Sequence, residues 1–404
     1  MLYQAYQLYA DLMQPGCAMA DITASTLASH PRLAGCESLR SVRGLCEVLA
    51  LARLTHHRPP FGIHTVVVDG RAVAVTEEVV TRTPFCTLLR LRREGIVGQP
   101  RVLLVAPMSG HFATLLRSTA ITMLRDHDVY ITDWHNPRDI PLLCGRFGLD
   151  EFVEHIMVFL RALGPGAHVM AVCQPTVAAL AAAALMAEDD DPCQPASLTL
   201  MAGPIDARVN PTRVNELAME RPIEWFENTL IGVVPWRFPG ALRRVYPGFV
   251  QLLAFMSMNL DRHEQALREL YTLRERGEHD KADAIQAFYT EYFATMDLTA
   301  DFYLETVSLV FQRFLLALGT LDVLGRRVRP EAIRRTALLT VEGERDDICA
   351  IGQTMAAQEL CSSVRPYRRM HHVQTGVGHY GVFSGKKWEA QVYPLVRDNI
   401  HVNS

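Results

Sequence analysis

Five short apolar runs set the rhythm of the chain: RVLLVAP (101–107), DVYITDW (128–134), HVMAVC (168–173), SLTLMAG (197–203) and TALLTVEG (336–343). Each is strand-length, and most are separated by helix-length stretches such as LDEFVEHIMVFLRALG. Near-continuous apolar strands alternating with helices predict a mostly parallel α/β sheet covered on both faces. In such sheets function gathers in the loops at the carboxyl ends of the strands.

The flanking regions depart from this pattern. Residues 1–60 read as helical and irregular, with ESLRSVRGLCEVLALARL (37–54) the clearest amphipathic stretch. HTVVVDGRAVAVTEEVV carries strand-like runs on either side of Asp69-Gly70, a hairpin signal, and TPFCTLLRLRR (83–93) reads as a further antiparallel strand. Residues 204–330 are too many for one crossover helix and hold half the chain's aromatic residues in a third of its length. The expected division is therefore 1–203, an N-terminal extension with its hairpin and the first part of the sheet; 204–330, a large and mostly helical inserted cap; and 331–404, the remainder of the sheet. Most of the cap's rings are expected to form its own core, and a minority to line an apolar channel.

Composition narrows the functional classes. A net charge of -4 without a basic block argues against binding a nucleic-acid backbone. No run of about 18 apolar residues predicts a membrane span. The opening MLYQAYQLYADLM lacks the pattern of a secretory signal. The nine cysteines are scattered, with no CxxC pair and no Cys/His ligand spacing, so free thiols in a reducing cytoplasm are expected, without a disulfide framework or a structural zinc site.

One cysteine stands apart. In HVMAVCQPTVAAL (168–180), Cys173 directly follows a strand and precedes a helix. A strand–sharp turn–helix places a nucleophile above the sheet edge, with the next N–H and the helix end facing a developing oxyanion. Small residues are needed two positions either side; Ala171 fits, and Pro175 is tolerated if it opens the helix. An acid should follow a late strand, and VEGERDDI offers Asp346, with Asp347 and Glu344 as alternatives. A base should come later still, and GVGHYGVFSG offers His379 between glycines, with His371 and His372 the poorer candidates. The order Cys173, Asp346, His379 matches a nucleophile–acid–histidine triad. The expected oxyanion donors are the backbone N–H of Gln174 and one from the loop after 101–107, at Met108 or Ser109. His111, in that same loop, is either a second functional imidazole or a satisfied loop histidine.

The segments VAPMSGH, VYITDW, AVCQPTV, GPIDAR, EWFENTLI, RRVYPGF, VEGERDDI and GHYGVFSG, in this order, resemble the intracellular polyhydroxybutyrate depolymerases. The resemblance runs almost from end to end. It implies an α/β-hydrolase fold, with the family's nucleophile, acid and base at Cys173, Asp346 and His379, and the proline after the nucleophile belonging to the family's CQP. It also implies hydrolysis of poly(3-hydroxybutyrate) to oligomers and monomer through a thioester, with no metal and no cofactor. The enzyme would then be cytoplasmic and act at the storage-granule surface, with homodimerisation open. The same triad would serve two rivals: a synthase-like acyltransferase, and thiolysis of the polymer by coenzyme A.

Overall fold

The computed structural model describes residues 2–30, 33, 36–258 and 260–404. Its centre is a nine-stranded sheet: β1 (Thr65–Val68), β2 (Arg71–Arg82), β3 (Cys86–Arg93), β4 (Arg101–Val105), β5 (Asp128–Trp134), β6 (His168–Val172), β7 (Ser197–Met201), β8 (Ala337–Gly343) and β9 (Arg369–Gln374). In space they run β1-β2-β3-β5-β4-β6-β7-β8-β9. The first three strands are antiparallel, and every pair from β5 to β9 is parallel. The burial follows from the patterning. Strands β6 and β7 are buried at every position, because helices cover both faces, while most of β2 is exposed. Asp69 (φ 49) and Gly70 (φ 75) join β1 to β2, and two positive φ values in a two-residue loop suit the twist of a hairpin.

Two N-terminal helices, α1 (Leu2–Ser29) and α2 (Glu37–Leu51), precede the sheet. Between the strands run α3 (Arg117–Met123), α4 (Leu149–Leu163) and α5 (Pro175–Glu188). Helix α4 is amphipathic and buries Phe152, Ile156, Phe159 and Leu160. Helix α5 is alanine-rich and buried all round from Pro175 to Met186, so its backbone lies close against the sheet. The closest approach is at Gly203, just past β7, where an added Cβ would sit 1.8 Å from Thr176 Oγ1.

Between β7 and β8 the chain forms α6 (Arg213–Glu220), α7 (Ile223–Leu230), α8 (Gly248–Met258), α9 (Leu260–Arg276), α10 (His279–Tyr292) and α11 (Ala300–Glu305). It also forms a three-stranded antiparallel ribbon from Gly232–Val233, Arg244–Tyr246 and Leu298–Thr299. Sequence patterning missed this ribbon, because strands of two or three residues carry no measurable period. The rings of this segment divide between local and shared packing. Tyr289, Tyr292 and Phe293 cluster with Leu252, whereas Phe302 joins the main core, stacked 5.2 Å from Phe152.

The N-terminal helices pack against this inserted segment. The Tyr3 hydroxyl donates to buried Asp297 at 2.6 Å, and Tyr6 stacks on Phe249 of α8 at 3.8 Å. Glu47 of α2 pairs with Arg274 of α9, both buried.

Candidate active site

Cys173 is the first residue past β6, and its backbone is left-handed, with φ 67. An L-residue rarely adopts that region; doing so costs of order 1–3 kcal/mol and persists only where the surroundings impose it. Here they do. The Cys173 N–H donates to the Met201 carbonyl at 2.7 Å, and the Thr176 N–H donates to the Cys173 carbonyl at 3.1 Å. Pro175 occupies the first turn of α5, where no intrahelical N–H is needed. The tight turn therefore relies on three small or N–H-free positions: Ala171 on the strand, Pro175 on the helix and Gly203 beside it. The last is not adjacent in sequence and only the approach of α5 to the end of β7 reveals it.

Asp346 and His379 come together from the two strands at the far side of the sheet. Asp346 lies three residues past β8 and is buried, its Oδ1 accepting the N–H groups of Ile348 at 2.9 Å and Cys349 at 2.8 Å. Its Oδ2 lies 2.7 Å from Nδ1 of buried His379. Asp347 and Glu344 are exposed, and Glu344 accepts the Gly376 N–H instead, so neither alternative reaches the imidazole. His379 opens a short turn after β9. Burial alone would depress its pKa; the nearby Cys173 and Asp346, with the Asp346 hydrogen bond, outweigh burial and hold the imidazole well above its ordinary value. His371 and His372 remain on β9, engaged with Thr340 at 2.9 Å and with Gln374 at 3.1 Å. Tyr380, beside His379, was not singled out by sequence. Burial raises its phenol pKa, with Tyr292 and Cys173 contributing from nearby.

The remaining candidates lie on the adjoining strand. β4 pairs with β6 in parallel, Val105 opposite Ala171, so the loop after β4 stands beside the Cys173 turn. That loop is anchored at its start, where the Ala106 N–H donates to Thr132 Oγ1 and the Ala106 carbonyl accepts from Trp134, both at 2.9 Å. Beyond the anchor, the N–H groups of Met108 and Ser109 donate to no protein acceptor among the described residues, and neither does that of Gln174. His111, two residues on, is buried. No group of three metal-ligating side chains occurs among the described residues.

With the hairpin strand β1 set aside, the remaining eight strands run 1-2-4-3-5-6-7-8. A strained residue follows the fifth, a buried acid the seventh and a histidine the eighth. This is an α/β-hydrolase. The chain belongs to the PHB de-polymerase family, whose model for the "PHB de-polymerase C-terminus" matches residues 202–404. It is a carboxylic ester hydrolase. No curated protein sequence matches it. Among solved structures, the meta-cleavage product hydrolase CumD of Pseudomonas fluorescens IP01 is similar with a TM-score of 0.43 and 16% identity, over 84% of this chain and 98% of that one. A monoacylglycerol lipase of Paleococcus ferrophilus gives 0.43 and 12%, over 76% and 97%. A bacterial membrane phospholipase A gives 0.42 and 17%, over 99% of both chains. Such distant likenesses add nothing on substrate.

Proposed function

We propose that the protein hydrolyses the ester bonds of amorphous poly(3-hydroxybutyrate), with Cys173 as nucleophile, His379 as base and Asp346 as the residue that orients the imidazole. The observation that carries the reading is the 2.7 Å contact between Asp346 Oδ2 and His379 Nδ1, beside a cysteine held at φ 67. With Nδ1–H committed to the carboxylate, Nε2 is the nitrogen free to take the thiol proton. The sulfur then attacks the ester carbonyl, and the N–H groups of Gln174 and of Met108 or Ser109 receive the negative oxygen. Collapse of this intermediate breaks the ester C–O bond. The departing hydroxyl takes the proton from His379 and leaves a 3-hydroxyacyl thioester on Cys173. Water, deprotonated by His379, attacks the thioester; the acid leaves and the thiol is restored. The thiol proton leaves with the alcohol and a proton from water restores the thiol, so the cycle closes with one water consumed, and the steps need neither metal nor cofactor.

In this reading residues 204–330 form a cap over the strand ends, and the enzyme works in the cytoplasm at the surface of storage granules. The family match supports a polyester substrate, and the aromatic content of 204–330 suits an apolar chain. The test is release of soluble 3-hydroxybutyrate from protein-free amorphous granules by wild type and by Cys173→Ala. Release by wild type alone is expected. Equal release by the variant would remove Cys173 from the chemistry. Acyl-CoA appearing only when coenzyme A is added would replace hydrolysis by thiolysis.

A further inference from the structure

The loop after β4 is held from the opposite side by a strap, the segment between α10 and the ribbon strand Leu298–Thr299. The Met296 N–H donates to the Gly110 carbonyl at 2.8 Å, and His111 and Thr295 form an antiparallel bridge. Thr295 in turn donates to the Thr55 carbonyl at 2.7 Å, and Thr55 to that of Phe293 at 3.1 Å. Gly110 (φ 87) has no room for a side chain, because a Cβ would lie 2.7 Å from Gln251 Cγ on α8.

The His111 ring lies within this clasp. Its plane is nearly parallel to that of Phe255 on α8, 6.1 Å away, and it meets Tyr292, the last residue of α10, at 5.2 Å. Nε2 lies 3.2 Å from the Tyr292 carbonyl, so that nitrogen carries the proton and donates. Nδ1 is buried and has no hydrogen-bond partner among the described residues. Burial lowers the ring's pKa to about 4, so near neutral pH it holds a single proton, the one given to Tyr292. The imidazole thus ties the end of α10 to the loop in which Ser109 lies two residues before it.

We infer that His111 is a positioning residue for the ester hydrolysis, a wedge that sets the Met108–Ser109 peptides at the height the oxyanion requires by bracing them against the end of α10. The inference rests on the proposed oxyanion role of that loop. A brace of this kind acts when charge develops on the carbonyl oxygen and hardly at all on the bound ester, so it governs kcat and leaves KM alone.

The experiment uses a soluble 3-hydroxybutyrate trimer and compares wild type with His111→Phe, which keeps the stacking and loses the donor, and His111→Gln, which keeps a donor. Expected are a fall in kcat of about 10–100-fold for His111→Phe with KM within about twofold, and recovery of about tenfold in His111→Gln. An unchanged kcat, or kcat and KM moving together with no recovery by Gln, would overturn the inference. Cys173→Ala in the same assay separates the two levels, because if it keeps wild-type turnover the proposed chemistry itself falls. Should His111→Phe not fold, 15N-histidine NMR of the wild type at pH 7 decides instead. The His111 signals should report an Nε2–H neutral ring and should shift when a trifluoromethyl ketone forms its tetrahedral adduct. An Nδ1–H or cationic ring, or no shift in an adduct seen to form, counts against the wedge.

Discussion

The Asp346 carboxylate is fully used. One oxygen is saturated by two backbone N–H groups and the other faces His379. That fixes the residue as the imidazole's partner and leaves exposed Asp347 with no comparable task. Asp346→Asn would present an amide N–H or a weaker acceptor to Nδ1 and disturb the tautomer. Turnover on a soluble ester should fall by about 10³–10⁴-fold, while Asp347→Asn stays within about twofold; steady-state kinetics of both variants checks this. At this scale the sequence was informative where a candidate residue lies within a few positions of a strand end. Cys173, Asp346 and His379 could be chosen from order and flanking residues, although three carboxylates at 344, 346 and 347 looked alike until burial separated them. Gly203, Tyr380 and the surroundings of His111 were not legible, because each owes its setting to a neighbour distant in the chain.

At the scale of elements, α5 depends on its closeness to β7. A methyl group on Gly203 would overlap Thr176, whose Oγ1 and Cγ2 lie 1.8 and 2.3 Å from the position of the new carbon. Gly203→Ala must push the N-terminus of α5 outward, and Cys173 and Gln174 stand at that end. We expect a loss of about 1–3 kcal/mol in urea unfolding together with a drop in kcat larger than the change in KM. The helices and long strands were visible as apolar runs and amphipathic stretches because their repeats extend over several residues. The edge strand β9, RMHHVQ, is harder to see. It is only partly buried and lacks the continuous apolar content of its neighbours. The ribbon of 232–233, 244–246 and 298–299 lies wholly in tertiary contacts.

On the scale of the whole molecule, two further buried acids lie outside the proposed triad. Asp297 is fully enclosed, and burial lifts its pKa from 3.8 to about 6, against the lowering influence of its bonds from Tyr3 and Gly248 and of Arg138. Asp133 is likewise lifted to about 6, chiefly by burial, with Arg58 opposing. For both, the folded state keeps a proton that the unfolded chain has already released, so their contribution to stability is present below pH of about 4 and is lost as the pH rises through about 6. Asp297→Asn should flatten that part of the curve, which urea midpoints measured between these two limits would reveal. An equally steep curve in the variant would shift the effect to other groups. The class of fold was legible at this scale, since alternation of apolar strands with helices leaves few architectures open. The packing of α1 and α2 on the inserted segment was not, because an amphipathic helix does not announce which surface it covers.

The strained turn at Cys173 has a bearing on biosynthesis. Its N–H is held by Met201, and the N–H of Ala202, just past that strand, is held by Val341. The left-handed backbone therefore depends on partners translated after it, the last of them beyond the entire inserted segment. His379 follows later still, about half the chain's length behind the cysteine. A polypeptide still growing on the ribosome would hold its thiol in a relaxed and unassisted state, and a truncated product would stay that way. In the proposed mechanism, competence arrives only when the last two strands of the sheet are laid down, so the cell would not meet a half-made esterase.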